Sequence, residues 1–239
     1  MTAAHKTAPN LDPAEAKKFD GLAASWWDPD GDSRPLHDIN GPRVSWIEAR
    51  AQLEGKAVVD VGCGGGILCE SLAERGAEVT GIDMADKPLA IARQHAVERG
   101  LTIDYRKITA EELAAEAGAG FDVVCCLEML EHVPAPEQTV VACAELCRPG
   151  GTLFFSTINR SPLSWATAIV GAEYVLGLLP RGTHRYDRLI RPEELTSACR
   201  KAGLEVLEVS GLAYNPFSRT VRIGGRPRIN YLLHASKPS

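Results

Sequence analysis

No two cysteines in this 239-residue chain are spaced Cys-x-x-Cys, and the seven that occur are odd in number. That pattern argues against a thiolate zinc site and against a disulfide framework, so a reducing compartment is expected. Cys125 and Cys126 fall within an apolar run, where a core role is expected. No uninterrupted apolar run reaches the length of about 18 residues that a membrane-spanning helix needs. The opening stretch MTAAHKTAPNLDPAEA has no long apolar segment and no arginine, so it resembles neither a secretory signal nor a transit peptide. Excess positive charge is also missing: the net charge is −5, which gives no electrostatic reason to expect nucleic acid as a partner. There is no internal repeat and no low-complexity linker. What is present, 45% hydrophobic and 24% charged residues, is the composition of a globular domain, and the length suits one α/β domain with additions.

Punctuation along the chain supports that class. Pro13 to Trp27 has helical spacing, and WWDPDGD breaks it at Pro29 and Gly31. INGPRVSWIEARAQL restarts a helix with Pro42 near its first turn. From Val58 onward strands and helices alternate. Strands are expected at Val58–Val61, Glu78–Ile82, Thr102–Arg106, Phe121–Leu127 and Thr152–Ser156, and again near Leu204–Gly211 and Ile229–Ala235. Helices are expected at Ile67–Arg75, Pro88–Arg99, Glu137–Cys147 and Glu193–Ala202. Strands separated by helices in this way predict a doubly wound, mostly parallel seven-stranded sheet that binds ligands at the carboxyl ends of its strands. The chain then divides into a helical cap (1–50), a core (51–157), an insertion (158–192) and a closing helix with strands (193–239).

The run VVDVGCGGGILCESLAERGAEVTGIDM, Val58 to Met84, carries the first chemistry. Its glycines follow a strand and precede a helix, so the turn can be tight and a ligand can lie on bare backbone near a positive helix end. Asp83 closes the next strand, where a carboxylate can accept two ribose hydroxyls. The pattern is a nucleoside cradle. Gly62, Gly64 and Gly66 spell G-x-G-x-G, and Ile67 stands where a dinucleotide fingerprint would place its third glycine. A second cluster follows Leu127: Glu128, Glu131 and His132. On a helix these positions share a face, and two carboxylates with an imidazole can hold a hard divalent cation such as Mg²⁺. The same spacing also fits a helix-start acid and a histidine packed on the sheet. His37 and His184 read as loop hydrogen-bonders, and no lysine stands out as a base.

These motifs resemble those of the class I S-adenosylmethionine-dependent methyltransferases, whose Rossmann-like fold the chain is then expected to adopt. DVGCGGG resembles their first motif, TAEEL (Thr109–Leu113) the segment over the adenine, FDVVCCLEMLEHV the second motif and LCRPGGTLFFST the third. Further stretches, KKFDGLAASWWDPDGDSRPLHDIN, EMLEHVP, FFSTINRSPLSW, VGAEYVLGLLPRGTH and YNP, are similar to the ubiquinone-biosynthesis O-methyltransferase family. That resemblance covers about Lys17 to His234. It implies methylation of phenolic hydroxyls on polyprenylated rings, at the 2-polyprenyl-6-hydroxyphenol and 3-demethylubiquinol steps. It implies S-adenosyl-L-methionine contacts at Arg43, Asp60, Gly62, Gly64, Asp83, Met84, Ala110, Glu111 and Leu127. It also implies a metal site, and with it catalytic roles, at Glu128, Glu131 and His132.

The apolar stretch SPLSWATAIVGAEYVLGLLP, followed by RGTHRYDRLIR, is too interrupted to span a bilayer. It reads as an interfacial segment, with Trp165, Tyr174, Leu176 and Leu179 entering lipid and Arg181, Arg185, Arg188 and Arg191 meeting anionic headgroups, or as a lid on the active site. The expected location is therefore cytoplasmic and peripheral, at the inner face of the membrane, beside other ubiquinone-biosynthesis enzymes. Trp26 and Trp27 read as packing anchors of the N-terminal segment or as part of a substrate lid, and Trp46 as core. Three rival readings share parts of the pattern: a nicotinamide-dependent oxidoreductase, a non-catalytic cofactor-binding scaffold and a C-methyltransferase of the same pathway.

Overall fold

The AVVDV run at Ala57–Val61 forms strand β1, and Val58 to Val61 are all buried. A strand buried on both faces needs cover on both sides, as in a parallel sheet between helical layers. The computed structural model, which describes residues 10–166 and 185–239, provides that cover. Strands β2 (Glu78–Asp83), β3 (Asp104–Lys107), β4 (Phe121–Leu127) and β5 (Cys147–Ile158) run parallel to β1. Strands β6 (Glu205–Asn215), β7 (Thr220–Ile223) and β8 (Asn230–Ser236) extend the sheet in the order β3-β2-β1-β4-β5-β8-β6-β7. β8 lies antiparallel between β5 and β6. Successive strand residues face opposite layers: Phe154 joins the layer of Val58, Leu72 and Leu89, and Phe155 joins that of Val59, Leu113 and Leu146.

The helices are α1 (Pro13–Leu22), α2 (Arg34–Glu48), α3 (Ile67–Ala73), α4 (Asp86–Glu98), α5 (Ala110–Ala117), α6 (Pro136–Leu146), the short α7 (Pro162–Ser164) and α8 (Pro192–Lys201). The chain steps outward from β1 through β2 to β3, then returns to the other side of β1 with β4. That reversal opens a crevice at the carboxyl ends of β1 and β4, where such sheets bind ligands. α5 begins on a capping box: Thr109 Oγ1 accepts from the Glu112 N–H at 3.2 Å, and the Thr109 N–H donates to Glu112 Oε2 at 3.1 Å.

Several expectations are corrected. Among the described residues the sheet has eight strands rather than seven, because β6 runs on to Asn215 and hairpins into β7. α2 starts at Arg34, so Pro42 lies in its interior and Pro35 sits in its first turn. The buried Ile39, Val44, Trp46 and Ile47 pin α2 to the core and carry it through the missing donor at Pro42. α5 was not expected as a helix. All seven cysteines are buried and free. Among the described residues no helix is long and apolar enough to cross a membrane. Tyr174, Leu176, Leu179, Arg181 and His184 lie outside the described residues.

Candidate active site

A cavity of about 650 Å³ opens over the crevice, and every residue expected to hold the cofactor lines it: Arg43, Asp60, Gly62, Gly64, Asp83, Met84, Ala110, Glu111 and Leu127. The glycine loop is fastened by its own N–H groups. Those of Gly62 and Cys63 donate to the Ile82 carbonyl at 2.8 and 3.0 Å, and that of Gly64 donates to Asp83 Oδ2 at 2.9 Å. The Ala85 N–H donates to Asp83 Oδ1 at 2.8 Å. Burial raises the Asp83 carboxyl above its usual range, and the Ala85 and Gly64 N–H groups pull it back. Each carboxylate oxygen keeps a further lone pair for a ligand hydroxyl.

Asp60 is buried, and desolvation pushes its carboxyl up to about 6 against the Cys69 thiol, which donates at 3.3 Å, and the charge of Arg43. Arg43 is only 5% exposed, and its buried Nε has no partner among the described residues. A buried guanidinium with an unused donor at a cavity wall fits the carboxylate of an amino-acid moiety. With the Asp83 carboxylate and the bare loop, it makes a cradle suited to S-adenosyl-L-methionine.

The N-terminal segment, whose tryptophans read as packing anchors or as part of a substrate lid, lines the cavity from Asn10 to Trp26. Gly64 has φ +52°, and a Cβ there would stand 2.3 Å from the Trp26 ring. Bare backbone in this loop therefore receives a tryptophan. Trp27 Nε1 donates to the Gly65 carbonyl at 2.9 Å, and its ring stacks on His95 at 3.6 Å. His37 Nε2 pairs with the Trp26 carbonyl at 2.9 Å, from α2 rather than from a loop. Asn10 Nδ2 donates to Glu111 Oε1, Thr139 Oγ1 and the Ala135 carbonyl at 2.9–3.0 Å, tying this segment to the far wall. The adjacent WW pair was the available sequence signal; Asn10 gave none.

The expected shared helix face at Glu128, Glu131 and His132 does not form. Glu128 has φ +54°, a left-handed backbone at the end of β4, and only Leu130–His132 make a short 3₁₀ turn. The three side chains take separate partners, although all line the cavity. Glu128 Oε1 accepts from Ser156 Oγ at 2.7 Å, and both its oxygens lie 3.2 Å from Asn230 Nδ2. Glu131 is 4% exposed; Thr157 Oγ1 donates to its Oε2 at 2.8 Å, and its buried Oε1 has no partner among the described residues. Burial, then the charge of Glu128, pushes the Glu131 carboxyl up to about 8. His132 Nδ1 lies 2.8 Å from Glu15 Oε2 of α1, and Phe19 meets the ring edge-on at 5.0 Å. That contact holds Glu15 down at about 2. Among the described residues no three His, Cys, Asp or Glu side chains gather, as they stand, into a group that could hold a metal. Ser156, Thr157, Asn230 and Glu15 were not anticipated, because each reaches the cluster from a distant element.

The family model described as a methyltransferase domain matches residues 41–209. A Saccharophagus degradans protein named ubiquinone biosynthesis O-methyltransferase is 55% identical over 229 residues, covering 95% of this chain and 97% of its own. The chain belongs to the ubiquinone biosynthesis O-methyltransferase family. A Stutzerimonas stutzeri protein of the same name is 55% identical over 230 residues, covering 96% of this chain and 99% of its own. Among solved structures, a magnesium protoporphyrin IX methyltransferase from Synechocystis with bound SAH superposes with a TM-score of 0.68 at 23% identity, covering 93% of this chain and 95% of that one. That likeness establishes the Rossmann-like class I methyltransferase fold, and the family membership makes the chain an S-adenosyl-L-methionine-dependent methyltransferase.

In this methyltransferase the cofactor cradle and the two carboxylates line one cavity. Beyond them the lining turns apolar, with Leu36, Ile39, Leu212 and Ile229.

Proposed function

We propose that the chain moves the methyl group of S-adenosyl-L-methionine to a phenolic oxygen of a polyprenylated catechol-type intermediate of ubiquinone synthesis. Its acceptors are 2-polyprenyl-6-hydroxyphenol and 3-demethylubiquinol. The family membership carries this reading, and the continuity of the cofactor cradle with Glu128 and Glu131 supports it. In an in-line displacement the O–CH₃ bond forms as the S–CH₃ bond breaks, and the phenolic proton must leave. A phenol with a pKa of about 10 is a weak nucleophile at neutral pH. Glu128, whose carboxylate faces the cavity, accepts that proton, while Glu131, raised to about 8, enters the neutral site already protonated. Trp26 and α1 exclude water from the sulfonium, and alignment supplies much of the rate.

A divalent cation, Mg²⁺ by preference, would displace the Glu131 proton and be held by the Glu131 oxygen that lacks a partner together with Glu128, which would still accept the phenolic proton on its other oxygen. When bound, the ion supplies positive charge that lowers the acceptor's pKa. His132 Nδ1 pairs with Glu15. The test is methyl transfer from labelled cofactor to a short-tailed demethylubiquinol, with Mg²⁺ and with EDTA. Transfer is expected, reduced by EDTA. No transfer by a protein that still binds S-adenosylhomocysteine overturns the acceptor assignment.

The substrate's tail implies a lipid surface. Trp165 and Phe217, 51% and 82% exposed, are chain neighbours of the cavity residues Ala166 and Pro216, and Arg226 and Arg228 are exposed close by in sequence. Exposed aromatics next in sequence to cavity residues, with exposed arginines a few positions on, suit anionic membrane. Vesicles containing anionic lipid should co-sediment the protein, and W165S/F217S should weaken this by about 5-fold or more. Equal binding of the variant would remove this rim from the membrane contact.

A further inference from the structure

Glu128 is held in a backbone conformation that side chains other than glycine rarely adopt, and such residues persist only where their surroundings fix them. Three contacts do so. The Glu128 N–H donates to the Ser156 carbonyl at 2.9 Å, and Ser156 Oγ donates to Oε1 at 2.7 Å. The third comes from Asn230, the first residue of β8, whose Nδ2 lies 3.2 Å from both carboxylate oxygens. Ser156 is fully buried behind the site, whereas Asn230 is part of the cavity wall. Register brings it there: β8 pairs antiparallel with β5, setting Asn230 opposite Ile158 two residues beyond Ser156. The amide is itself oriented, because the Tyr231 N–H donates to Asn230 Oδ1 at 2.6 Å and leaves Nδ2 facing Glu128.

We infer that Asn230 is a positioning residue for methyl transfer, aiming the Glu128 carboxylate at the acceptor hydroxyl. The amide spans both oxygens and so sets the plane of the carboxylate, which a single hydroxyl at Ser156 does not. It is also a neutral donor. A lysine or arginine in its place would spend the negative charge of Glu128 on an ion pair, and an aspartate would repel it. The antiparallel strand thus has a chemical use besides closing the sheet: it delivers an amide to the carboxyl edge of β4. The inference rests on the proposed phenol methylation, with Glu128 as the proton acceptor.

The test is a cycle of Asn230→Ala and Glu128→Gln, read with a short-tailed demethylubiquinol as kcat, as acceptor KM and as the Kd of S-adenosylhomocysteine. Asn230→Ala should lower kcat by about 30-fold, within the range expected when a reacting group is misaimed, with cofactor affinity within about 2-fold. Asn230→Asp should be worse, by about 100-fold, and should regain activity as pH is lowered. In the Glu128→Gln background Asn230→Ala should cost less than about 2-fold, because its target is gone. Equal losses in both backgrounds, or an unchanged kcat, would overturn the inference. So would a parallel loss of cofactor affinity, which marks a merely structural strand residue. Failure of the wild-type protein to methylate this acceptor would instead refute the functional reading.

Discussion

Asp83→Ala is expected to weaken S-adenosylhomocysteine binding by about 100-fold or more, since hydrogen bonds to a charged group contribute about 1.5–3 kcal/mol each. Two effects combine. The proposed site uses the carboxylate for the hydroxyls of a bound nucleoside, and the carboxylate also fastens the loop through the Gly64 and Ala85 N–H groups at 2.9 and 2.8 Å. Alanine removes the ligand's partner and frees the turn that carries Trp26 on its outer surface. Asp83→Asn separates the two roles. Its amide retains one acceptor for the loop but sets an NH₂ against the other N–H, so an intermediate loss is expected. Thermal stability should change little, because burial already raises the Asp83 carboxyl and its removal relieves that cost. Calorimetric titration of both variants is the check. A dissociation constant within about 3-fold of wild type for Asp83→Ala would remove Asp83 from the cofactor site.

Asp83 was legible in the sequence because everything that defines it is local: a valine run, a glycine turn, a helix and the end of the next strand. The same holds for Gly62, Gly64 and the strands β1, β2 and β4. The cluster after β4 was not legible in the same way. Reading Glu128, Glu131 and His132 as one face assumed helical dihedrals throughout, and Glu128 leaves that region with φ +54°. A left-handed glutamate leaves no mark in composition or spacing. Its partners are remote too, with Asn230 lying 102 residues on and Glu15 lying 117 residues before His132. Trp26 was visible as an aromatic, but its position over Gly64 depends on α1 folding back across the crevice. The hairpin of β6 and β7 was missed because an antiparallel edge addition has no helix to announce it. Pro42 misled for a related reason: packing of α2 outweighed the local rule.

Glu131 exposes the cost of this site, and Glu131→Gln should make the protein more stable while lowering methyl transfer by about 100-fold or more. The carboxyl is buried, one oxygen lacks a partner, and the charge of Glu128 is close enough to help push it up to about 8. Below pH about 4.5 both the folded and the unfolded chain hold this proton, and ionisation costs the fold nothing. Between there and about 8 the unfolded chain releases the proton and the folded chain keeps it, so folding loses ground as pH rises. Above about 8 the folded carboxyl ionises as well and the penalty is complete. Glutamine has the same shape, can still accept from Thr157, and has no charge to bury. The variant should therefore match wild type near pH 5 and exceed it near pH 8 by on the order of 1–3 kcal/mol, read as a melting temperature several degrees higher. Glu15 supplies the contrasting limb: held down at about 2 by His132, it contributes stability that is present above about pH 4.5 and lost as pH falls toward 2. A Glu131→Gln protein that melts below wild type at pH 8 would mean that the buried carboxyl is not a burden. The site would then be tuned by its hydrogen bond to Thr157 rather than by repulsion between two carboxylates.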